Sequence, residues 1–226
     1  MSQEPASDTA SFVRFLLDSQ VLRFGDFTAK SGRKTPYFFD AGRFGQGSQL
    51  ERLGEFYAQR LLDSLTGGFD VLFGPAYKGI PLAVATSMAL SRRGHDVGFC
   101  FNRKEAKDHG EGGVLVGHRL ADGDRVVIIE DVTTAGTSIR ETVPLLRAAA
   151  KVQLVGLIVA VDRQERGQGT ESALKEIARE YGLQALSIAN IDQIVEQLRA
   201  PAAQPPLLTP ELEARIREYR RTYGGS

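Results

Sequence analysis

The stretch 125–139, RVVIIEDVTTAGTSI, constrains the fold more than any other part of the sequence. Residues 126–129 form an unbroken β-branched apolar run that follows an Ala-Asp-Gly-Asp turn signal. A short continuous apolar run of this kind is typical of a strand buried on both faces, as in a parallel sheet. Glu130 and Asp131 stand where this strand is expected to end, and a helix is expected to begin near Thr137. The sequence therefore predicts a central strand that ends in two carboxylates.

The segment between this strand and the helix consists of small and hydroxyl-bearing residues, namely Thr133, Thr134, Ala135 and Gly136. Backbone N–H groups that lead into a helix N-terminus bind anions, and a glycine lets the backbone approach a phosphate closely. Carboxylates can accept hydrogen bonds from vicinal hydroxyls. Because ligands of open α/β sheets bind at the carboxyl ends of strands, the pattern predicts a ribose 5-phosphate site. The alternative is an ordinary strand–turn–helix with a polar corner.

Several classes of protein are disfavoured by what the sequence lacks. It contains no Gly-x-x-x-x-Gly-Lys-Ser/Thr motif and no Gly-x-Gly-x-x-Gly after a strand, which disfavours triphosphate and dinucleotide sites. Lys+Arg and Asp+Glu both number 28, so the basic excess of a nucleic-acid-binding protein is missing. Cys100 is the only cysteine, which rules out a disulfide framework. With no signal-peptide pattern and no membrane-length apolar run, we expect a cytoplasmic protein with no membrane partner.

The rest of the chain predicts an α/β protein in which a central parallel sheet is flanked by helices, because strands and helices alternate from residue 70 onward. Before that point, residues 8–19 predict an amphipathic helix and 21–39 predict short antiparallel strands. Ser48 and Glu51 have the spacing of a capping box. We divide the chain into an N-terminal helix and hood (1–45), a core (46–200), and a linker with a C-terminal helix (201–226).

Three further loops should lie at the same edge of the sheet, since each follows a predicted strand. The first contains Tyr77 and Lys78. The lysine either binds a diphosphate or is an ordinary solvent-exposed side chain. The second, 102–113, carries several cations between glycines and is either a solvated loop or a lid over a polyanion. In the third, Arg163 can bind a carboxylate in a bidentate manner or pair with a neighbouring acid.

Six segments carry a family resemblance, namely FTAKSGR (27–33), PYFF (36–39), GPAYKG (74–79), RKEAKDHG (103–110), EDVTTAGTS (130–138) and DRQER (162–166). The segment 130–138 resembles the phosphoribosyl diphosphate motif of the type I phosphoribosyltransferases. Taken together and in order, the six segments resemble the orotate phosphoribosyltransferases over about residues 8–200. The lid segment is the most specific part of this resemblance, and the residues after 200 lie outside it.

The resemblance implies a type I phosphoribosyltransferase fold with a small N-terminal hood, and a role for each matching residue. The residues that would bind substrate groups are Lys30, Phe38 and Phe39 at the base, Tyr77, Lys78, Arg103 and Lys104 at the diphosphate, Glu130, Thr133, Thr134, Ala135, Gly136, Thr137 and Ser138 at the ribose 5-phosphate, and Arg163 at the orotate carboxylate. The residues that would be catalytic are Lys107, His109 and Asp131. Phe38 and Phe39 could equally belong to the core.

The implied reaction joins orotate to phosphoribosyl diphosphate and gives orotidine 5′-phosphate and diphosphate, a step toward UMP. Mg²⁺ would be held mainly by substrate and water, since hard oxygen ligands suit it. The resemblance also implies a homodimer in which the 103–113 loop serves the neighbouring subunit. Two rival functions are a purine or uracil salvage transferase on the same core and a non-catalytic regulator that senses the diphosphate.

Overall fold

The computed structural model describes residues 7–28, 32–105, 114–133, 136–199 and 208–225. Its helices are α1 (Ser7–Asp18), α2 (Gly47–Ser64), α3 (Gly79–Arg92), α4 (Thr137–Ala149), α5 (Ala173–Tyr181), α6 (Ile191–Arg199) and α7 (Pro210–Tyr223). Its strands are β1 (Leu22–Thr28), β2 (Lys34–Phe39), β3 (Val71–Gly74), β4 (Gly98–Asn102), β5 (Leu115–Gly117), β6 (Arg125–Val132), β7 (Gln153–Asp162) and β8 (Gln184–Asn190). The predicted alternation of strands and helices after residue 70 is confirmed.

The main sheet has six strands in the order β5-β4-β3-β6-β7-β8. The pairs β4–β3, β3–β6, β6–β7 and β7–β8 are parallel, which confirms the predicted parallel sheet for these five strands. Strand β5 differs, because it runs antiparallel to β4 at the edge of the sheet. The chain here returns along the neighbouring strand instead of crossing over the sheet, and such a return gives antiparallel pairing.

Strand β6 is longer than the sequence predicted, since it continues through Glu130 and Asp131 to Val132. Its pairing with β7 extends to the pairs Glu130↔Val159 and Val132↔Val161, so the carboxylates do not end the strand. Successive side chains of a strand point to opposite faces of the sheet. The two carboxylates therefore point to different faces of the sheet.

The packing of β6 shows on which face of the sheet each carboxylate lies. Val126 and Ile128 belong to the apolar cluster that contains residues of α4 and α5. Val127 and Ile129 belong to the other cluster, which contains residues of α1, α2, α3, α6 and α7. By alternation, Glu130 lies on the α4 side, and Asp131 lies on the side of α2 and α3.

The N-terminal part forms the predicted antiparallel hairpin, in which Leu22 pairs with Phe39 across β1 and β2. Helix α1 buries Phe12 and Leu16 completely, in agreement with its predicted apolar face. The same apolar cluster includes Tyr219 of α7, so both ends of the described chain pack onto one side of the sheet. The division of the chain at residues 45 and 200 stays a prediction.

The start of helix α2 differs from the prediction. Helix α2 is capped by Gln46, whose backbone N–H donates to the Gln49 side chain at 3.2 Å, so the predicted box of Ser48 and Glu51 is wrong. The helix begins before Ser48, which places that residue in the first turn instead of at the cap. Helix α3 begins at Gly79, two residues before Pro81. Across the described ranges, the helices are all too short or too polar to cross a membrane.

Candidate active site

The predicted site residues converge because β3, β6 and β7 are neighbours in the sheet and run in the same direction. Their carboxyl ends carry Lys78, Asp131 and Arg163 respectively, and the next strand outward, β4, leads to Arg103. Ligands of α/β sheets bind at such an edge. The topology thus assembles side chains from four separate segments of the sequence.

Asp131 and Lys78 form an ion pair that joins the ends of β6 and β3. The Lys78 Nζ donates to Asp131 Oδ2 at 2.8 Å, and the Asp131 side chain is only 7% exposed. Lys78 itself is 56% exposed, so its charged end is accessible from solvent. This lysine compensates a nearly buried carboxylate and can still move toward an incoming anion.

Glu130 is buried on the opposite face and accepts a hydrogen bond from the Ser138 hydroxyl, in the first turn of α4. Burial raises the pKa of Glu130 to about 7, and the negative charge of Asp131 adds to the rise. The Ser138 hydrogen bond and Lys78 act in the opposite direction. A carboxyl group with this pKa is about half protonated at pH 7, so a ligand that donates hydroxyl hydrogen bonds to it would favour the charged form.

Tyr57 holds the backbone at Glu130. Its buried hydroxyl donates a hydrogen bond to the Glu130 carbonyl oxygen at 2.7 Å. Burial raises the pKa of Tyr57 well above its ordinary value, so the hydroxyl keeps its proton and remains a donor. This hydrogen bond from α2 holds in position the end of β6 that carries both carboxylates.

The start of α4 has features of an anion site. Gly136 is the N-cap residue with φ 72° and ψ 14°, a left-handed conformation, and no side chain of the described residues caps the helix. The first-turn N–H groups, including those of Thr137 and Ser138, therefore have no capping side chain among the described residues and could bind an anion. Thr133 is nearly buried, whereas Thr137 is exposed. Thr134 and Ala135 lie outside the described residues.

The loops after β3 and β4 are tied together by Asn102, whose Oδ1 accepts a hydrogen bond from the Ala76 N–H at 2.9 Å. The Ala76–Tyr77 peptide bond is cis, and the Tyr77 side chain is 69% exposed. The Lys104 Nζ lies 5.6 Å from the centroid of the Tyr77 ring, a cation–π contact. Lys104 and Tyr77 thus lie close together. Arg103 begins the same segment, and its N–H donates to the Val114 carbonyl at 2.7 Å.

Arg163 is buried and forms an ion pair with Glu165, two residues later in the chain. Its Nε donates to Glu165 Oε1 at 2.9 Å, and its side chain is 6% exposed. Its guanidinium carbon lies 5.2 Å from the centroid of the Tyr37 ring. Phe39 is buried in the core, and Phe38 is half-buried against Phe27.

The remaining predicted residues, Lys30, Lys107 and His109, lie outside the described residues, as does most of the 103–113 segment. Sequence reasoning missed four residues that support the site, namely Tyr57, Asn102, Glu165 and Tyr219. A signal existed for Asn102, which is a polar residue at the end of a strand beside β3. Tyr57 and Tyr219 lie on helices far along the chain from their partners, and no local pattern marks them.

The chain is similar to known proteins over most of its length. A family model described as "Phosphoribosyl transferase domain" matches residues 40–179. The orotate phosphoribosyltransferase of Lachnoclostridium phytofermentans is 53% identical over 215 residues, which cover 94% of this chain and 96% of the relative. That of Thioalkalivibrio sulfidiphilus is 52% identical over 216 residues, covering 95% and 97%.

A solved structure is similar as well. The crystal structure of the orotate phosphoribosyltransferase of Francisella tularensis matches with a TM-score of 0.82 at 37% identity, covering 95% of this chain and 100% of the other. Because residues 1–200 make up less than 94% of the 226, the match to the Lachnoclostridium relative must extend past residue 200. The expectation that the C-terminal segment lies outside the resemblance is therefore wrong.

Proposed function

The chain belongs to the phosphoribosyltransferase family, among the orotate phosphoribosyltransferases, and we propose how its residues carry out the reaction of that family. The reaction transfers the 5-phosphoribosyl group from phosphoribosyl diphosphate to orotate and yields orotidine 5′-phosphate and diphosphate. The observation that carries the proposal is that Lys78, Asp131 and Arg163 lie at the carboxyl ends of three neighbouring parallel strands, with Lys78 and Asp131 in contact. A cation for the diphosphate, an acceptor for ribose hydroxyls and a cation for a carboxylate are what this pair of substrates requires.

In the proposed complex, the ribose 5-phosphate lies in the loop 133–138, on the first-turn N–H groups of α4. Glu130 and Asp131 accept hydrogen bonds from the ribose hydroxyls. Tyr77 and Lys78 contact the diphosphate, for which Lys78 leaves Asp131. Arg163 binds the orotate carboxylate, with Lys30, Phe38 and Phe39 at the base.

In the chemical step, the bond from C1 of the ribose to the diphosphate oxygen breaks, and its electron pair stays on the diphosphate. The ring N–H of orotate gives up its proton to the leaving diphosphate or to water, and the electron pair of that nitrogen forms the new bond to C1. Positive charge develops on the ribose ring and negative charge on the leaving diphosphate. Cations placed where the negative charge develops lower the barrier. The proposed sources of this charge are Lys78 and the lid residues Arg103, Lys104, Lys107 and His109. Asp131 would stabilise the positive charge on the ribose.

The donor set at this edge fits Mg²⁺, which binds proteins through one or two carboxylates and otherwise through substrate phosphates and water. Glu130 and Asp131 supply such carboxylates, and no cluster of three or more metal-ligating side chains occurs within the described ranges. We therefore propose that Glu130 and Asp131 would hold a Mg²⁺ ion only in part, with substrate phosphates and water as its main ligands. It would neutralise part of the diphosphate charge.

The test of the activity is an absorbance assay of orotate consumption with phosphoribosyl diphosphate and Mg²⁺, with uracil, adenine and hypoxanthine as competing bases. We expect turnover of orotate and little turnover of the other bases, because these lack the carboxylate that Arg163 would bind. Turnover of uracil at the rate of orotate would favour the salvage alternative. Binding of phosphoribosyl diphosphate without turnover of any base would favour the regulator.

We also propose that the protein is a homodimer. Two large apolar side chains, Tyr77 and Met88, are 69% and 55% exposed, and both belong to the β3–α3 region. Met88 borders an apolar groove of about 530 Å³ between α2 and α3, whose other walls include Leu50, Ile80 and Val84. Exposed apolar surface of this kind marks interaction sites, and a second copy of the chain would cover it. The cytoplasmic location expected from the sequence stays a prediction.

Complementation tests whether the 103–113 loop serves the neighbouring subunit. Lys107→Ala and Asp131→Ala should each be inactive, but a mixed dimer would contain one site with an intact loop and an intact carboxylate. Equal mixing makes about half of the dimers mixed, each with one sound site, so about a quarter of the parent activity should return. Recovery no larger than the sum of the two variants, with mixed dimers present, would mean that the loop acts within its own chain.

A further inference from the structure

We propose that Glu165 and Tyr219 are positioning residues that hold the Arg163 guanidinium toward the carboxylate of the nucleobase substrate, which makes α7 part of nucleobase recognition. The inference rests on the proposed function, since it assumes that Arg163 binds this carboxylate. It gives a role to the C-terminal helix, for which the sequence alone indicated none.

A single carboxylate oxygen connects the three side chains. Glu165 Oε1 accepts a hydrogen bond from Arg163 Nε at 2.9 Å and another from the Tyr219 hydroxyl at 2.8 Å. Both Glu165 and Arg163 are 6% exposed, and Tyr219 is also buried. Buried polar groups that are linked in this way have few alternative arrangements, because each would leave a partner unsatisfied.

The geometry leaves one edge of the guanidinium for a ligand. A guanidinium can offer a carboxylate either its Nε/Nη2 edge or its Nη1/Nη2 edge. Glu165 takes the Nε side. Arg163 Nη2 lies 2.6 Å from the same Glu165 oxygen but without the alignment of a hydrogen bond, and it is buried with no hydrogen-bond partner in the described structure. The Nη1/Nη2 edge is the one that could bind a planar carboxylate.

Two aromatic rings restrict the guanidinium further. The Tyr37 ring faces it, with 5.2 Å between the guanidinium carbon and the ring centroid. The Tyr219 ring packs edge-on against Tyr37, at a centroid distance of 5.6 Å and an interplanar angle of 80°. Burial, together with the charge of Glu165, raises the pKa of Tyr219 to about 12, so its hydroxyl remains a donor. Tyr219 therefore touches both groups that contact the guanidinium.

The backbone around Arg163 is attached to the C-terminal segment as well. Arg220 Nη2 donates to the Gln164 side chain at 3.1 Å, and the Gly225 N–H donates to the Gln164 carbonyl at 2.9 Å. The Arg166 N–H donates to the Tyr223 carbonyl at 2.9 Å. Helix α7 and the residues after it thus hold the loop that carries Arg163 and Glu165 by backbone and side-chain contacts.

A different role for Glu165 is that of a placeholder, which occupies Arg163 until the substrate carboxylate displaces it. The buried hydrogen bond from Tyr219 argues against this role, because displacement would leave a tyrosine hydroxyl unsatisfied in the interior. The two roles predict opposite results. A positioning residue strengthens orotate binding, so its loss raises the KM for orotate, whereas the loss of a placeholder lowers it.

The test uses Tyr219→Phe in the full chain, because this change removes the hydroxyl and keeps the ring. The variant loses the hydrogen bond to the charged Glu165. From the free energy that such a hydrogen bond contributes, we expect the KM for orotate to rise about 5–15-fold. The KM for phosphoribosyl diphosphate and kcat should stay within about twofold, since the other site groups lie elsewhere on the sheet edge. Glu165→Gln, which keeps the shape and removes the charge, should raise the KM for orotate at least as much.

Tyr223→Phe is the matched control, because Tyr223 lies on the same helix and its hydroxyl makes no hydrogen bond to the described residues. It should leave all kinetic constants unchanged. An orotate KM within twofold of the parent in Tyr219→Phe would overturn the proposal, as would a lower KM or an equal loss in both substrates. If Tyr219→Phe does not fold, the same three readouts on Glu165→Gln decide. A parent without orotate turnover would instead refute the proposed function itself.

Discussion

Replacing Glu130 by glutamine should make the protein more stable above pH 7 while it weakens the activity. Glu130 is 8% exposed, and burial is the main reason that its pKa lies at about 7. Above that pH the protein must hold a buried negative charge beside Asp131. Glutamine keeps the size of the side chain and can accept from the Ser138 hydroxyl, but it carries no charge. The substitution therefore removes the unfavourable charge and keeps the packing.

The magnitude and sign follow from the two pKa values. The pKa of Glu130 is about 7 in the folded protein, against an ordinary value of about 4.5. Between these values the folded state holds a proton that the unfolded state has released, so the free energy of unfolding falls as the pH rises. At about 1.36 kcal/mol per pH unit, the fall across the whole window is about 3 kcal/mol. The glutamine variant does not titrate and lacks this fall.

The assay is urea unfolding of the parent and Glu130→Gln at pH 4.5, 6 and 8. The difference in unfolding free energy, variant minus parent, should grow by about 3 kcal/mol from the lowest pH to the highest. Turnover with phosphoribosyl diphosphate should fall by about 10–100-fold, since a hydrogen bond to a charged acceptor is lost. A stability difference that stays constant over this pH range would refute the reasoning about burial.

Asp70→Asn provides a control of opposite sign. Hydrogen bonds from Arg125 lower the pKa of Asp70 to about 2, below its ordinary value of 3.8. The stabilising effect of this carboxylate is present above pH 4 and is lost as the pH falls toward 2. The variant should therefore be less stable than the parent at pH 8, and this deficit should shrink in acid.

Three further changes test separate parts of the site. Lys107→Ala should lower kcat by about 10²–10⁴-fold with an unchanged melting temperature, and a kcat within threefold of the parent would remove the lid role. Arg163→Ala should raise the KM for orotate far more than that for phosphoribosyl diphosphate, because the substrate carboxylate would lose its partner; equal effects on both would contradict this. Gly136→Ala should destabilise by more than Gly182→Ala, as melting temperatures would show. Both glycines have positive φ, but their surroundings differ. A Cβ at position 136 would lie 2.3 Å from Ile177 Cδ1, whereas a Cβ at position 182 would have no atom within 4 Å among the described residues. Equal losses would mean that crowding at the anion loop is unimportant.

The order of elements could be predicted because apolar runs and turn residues are local signals. Helix α4 begins at Thr137, where the sequence predicts its start. The sequence predicts a shorter strand β6 that ends at Glu130 and Asp131, whereas the strand continues to Val132. The polar side chains of Glu130 and Asp131 do not interrupt the backbone pairing of β6. The pairing with β7 continues past them to Val132. Side-chain polarity is therefore a poor guide to a strand end that lies at a binding site.

Proximity within the site could be predicted from topology, but its contacts could not. Parallel strands bring their carboxyl ends to one edge, which is why Lys78 and Asp131 were expected near each other. The hydrogen bond between Tyr219 and Glu165 joins residues 54 positions apart, and it depends on how α7 packs against β2. A charged helix that follows a proline-rich linker has the sequence pattern of an appendage. Only the packing of Tyr219 and Ile216 into the core shows that α7 belongs to the body of the protein.

The adjacency of Glu130 and Asp131 gives the site a way to hold two nearly buried carboxylates. Because the strand continues through both, they point to opposite faces and meet different partners. Asp131 is compensated by Lys78 at 2.8 Å, while Glu130 is compensated in part by a proton, since its pKa is about 7. A ligand that brings both hydroxyls and a diphosphate would replace the proton at Glu130 and draw Lys78 away from Asp131. The ion pair at Asp131 and the raised pKa of Glu130 therefore serve the same purpose. Each carboxylate is neutralised, by Lys78 or by a proton, and the proposed substrate can displace both of these groups.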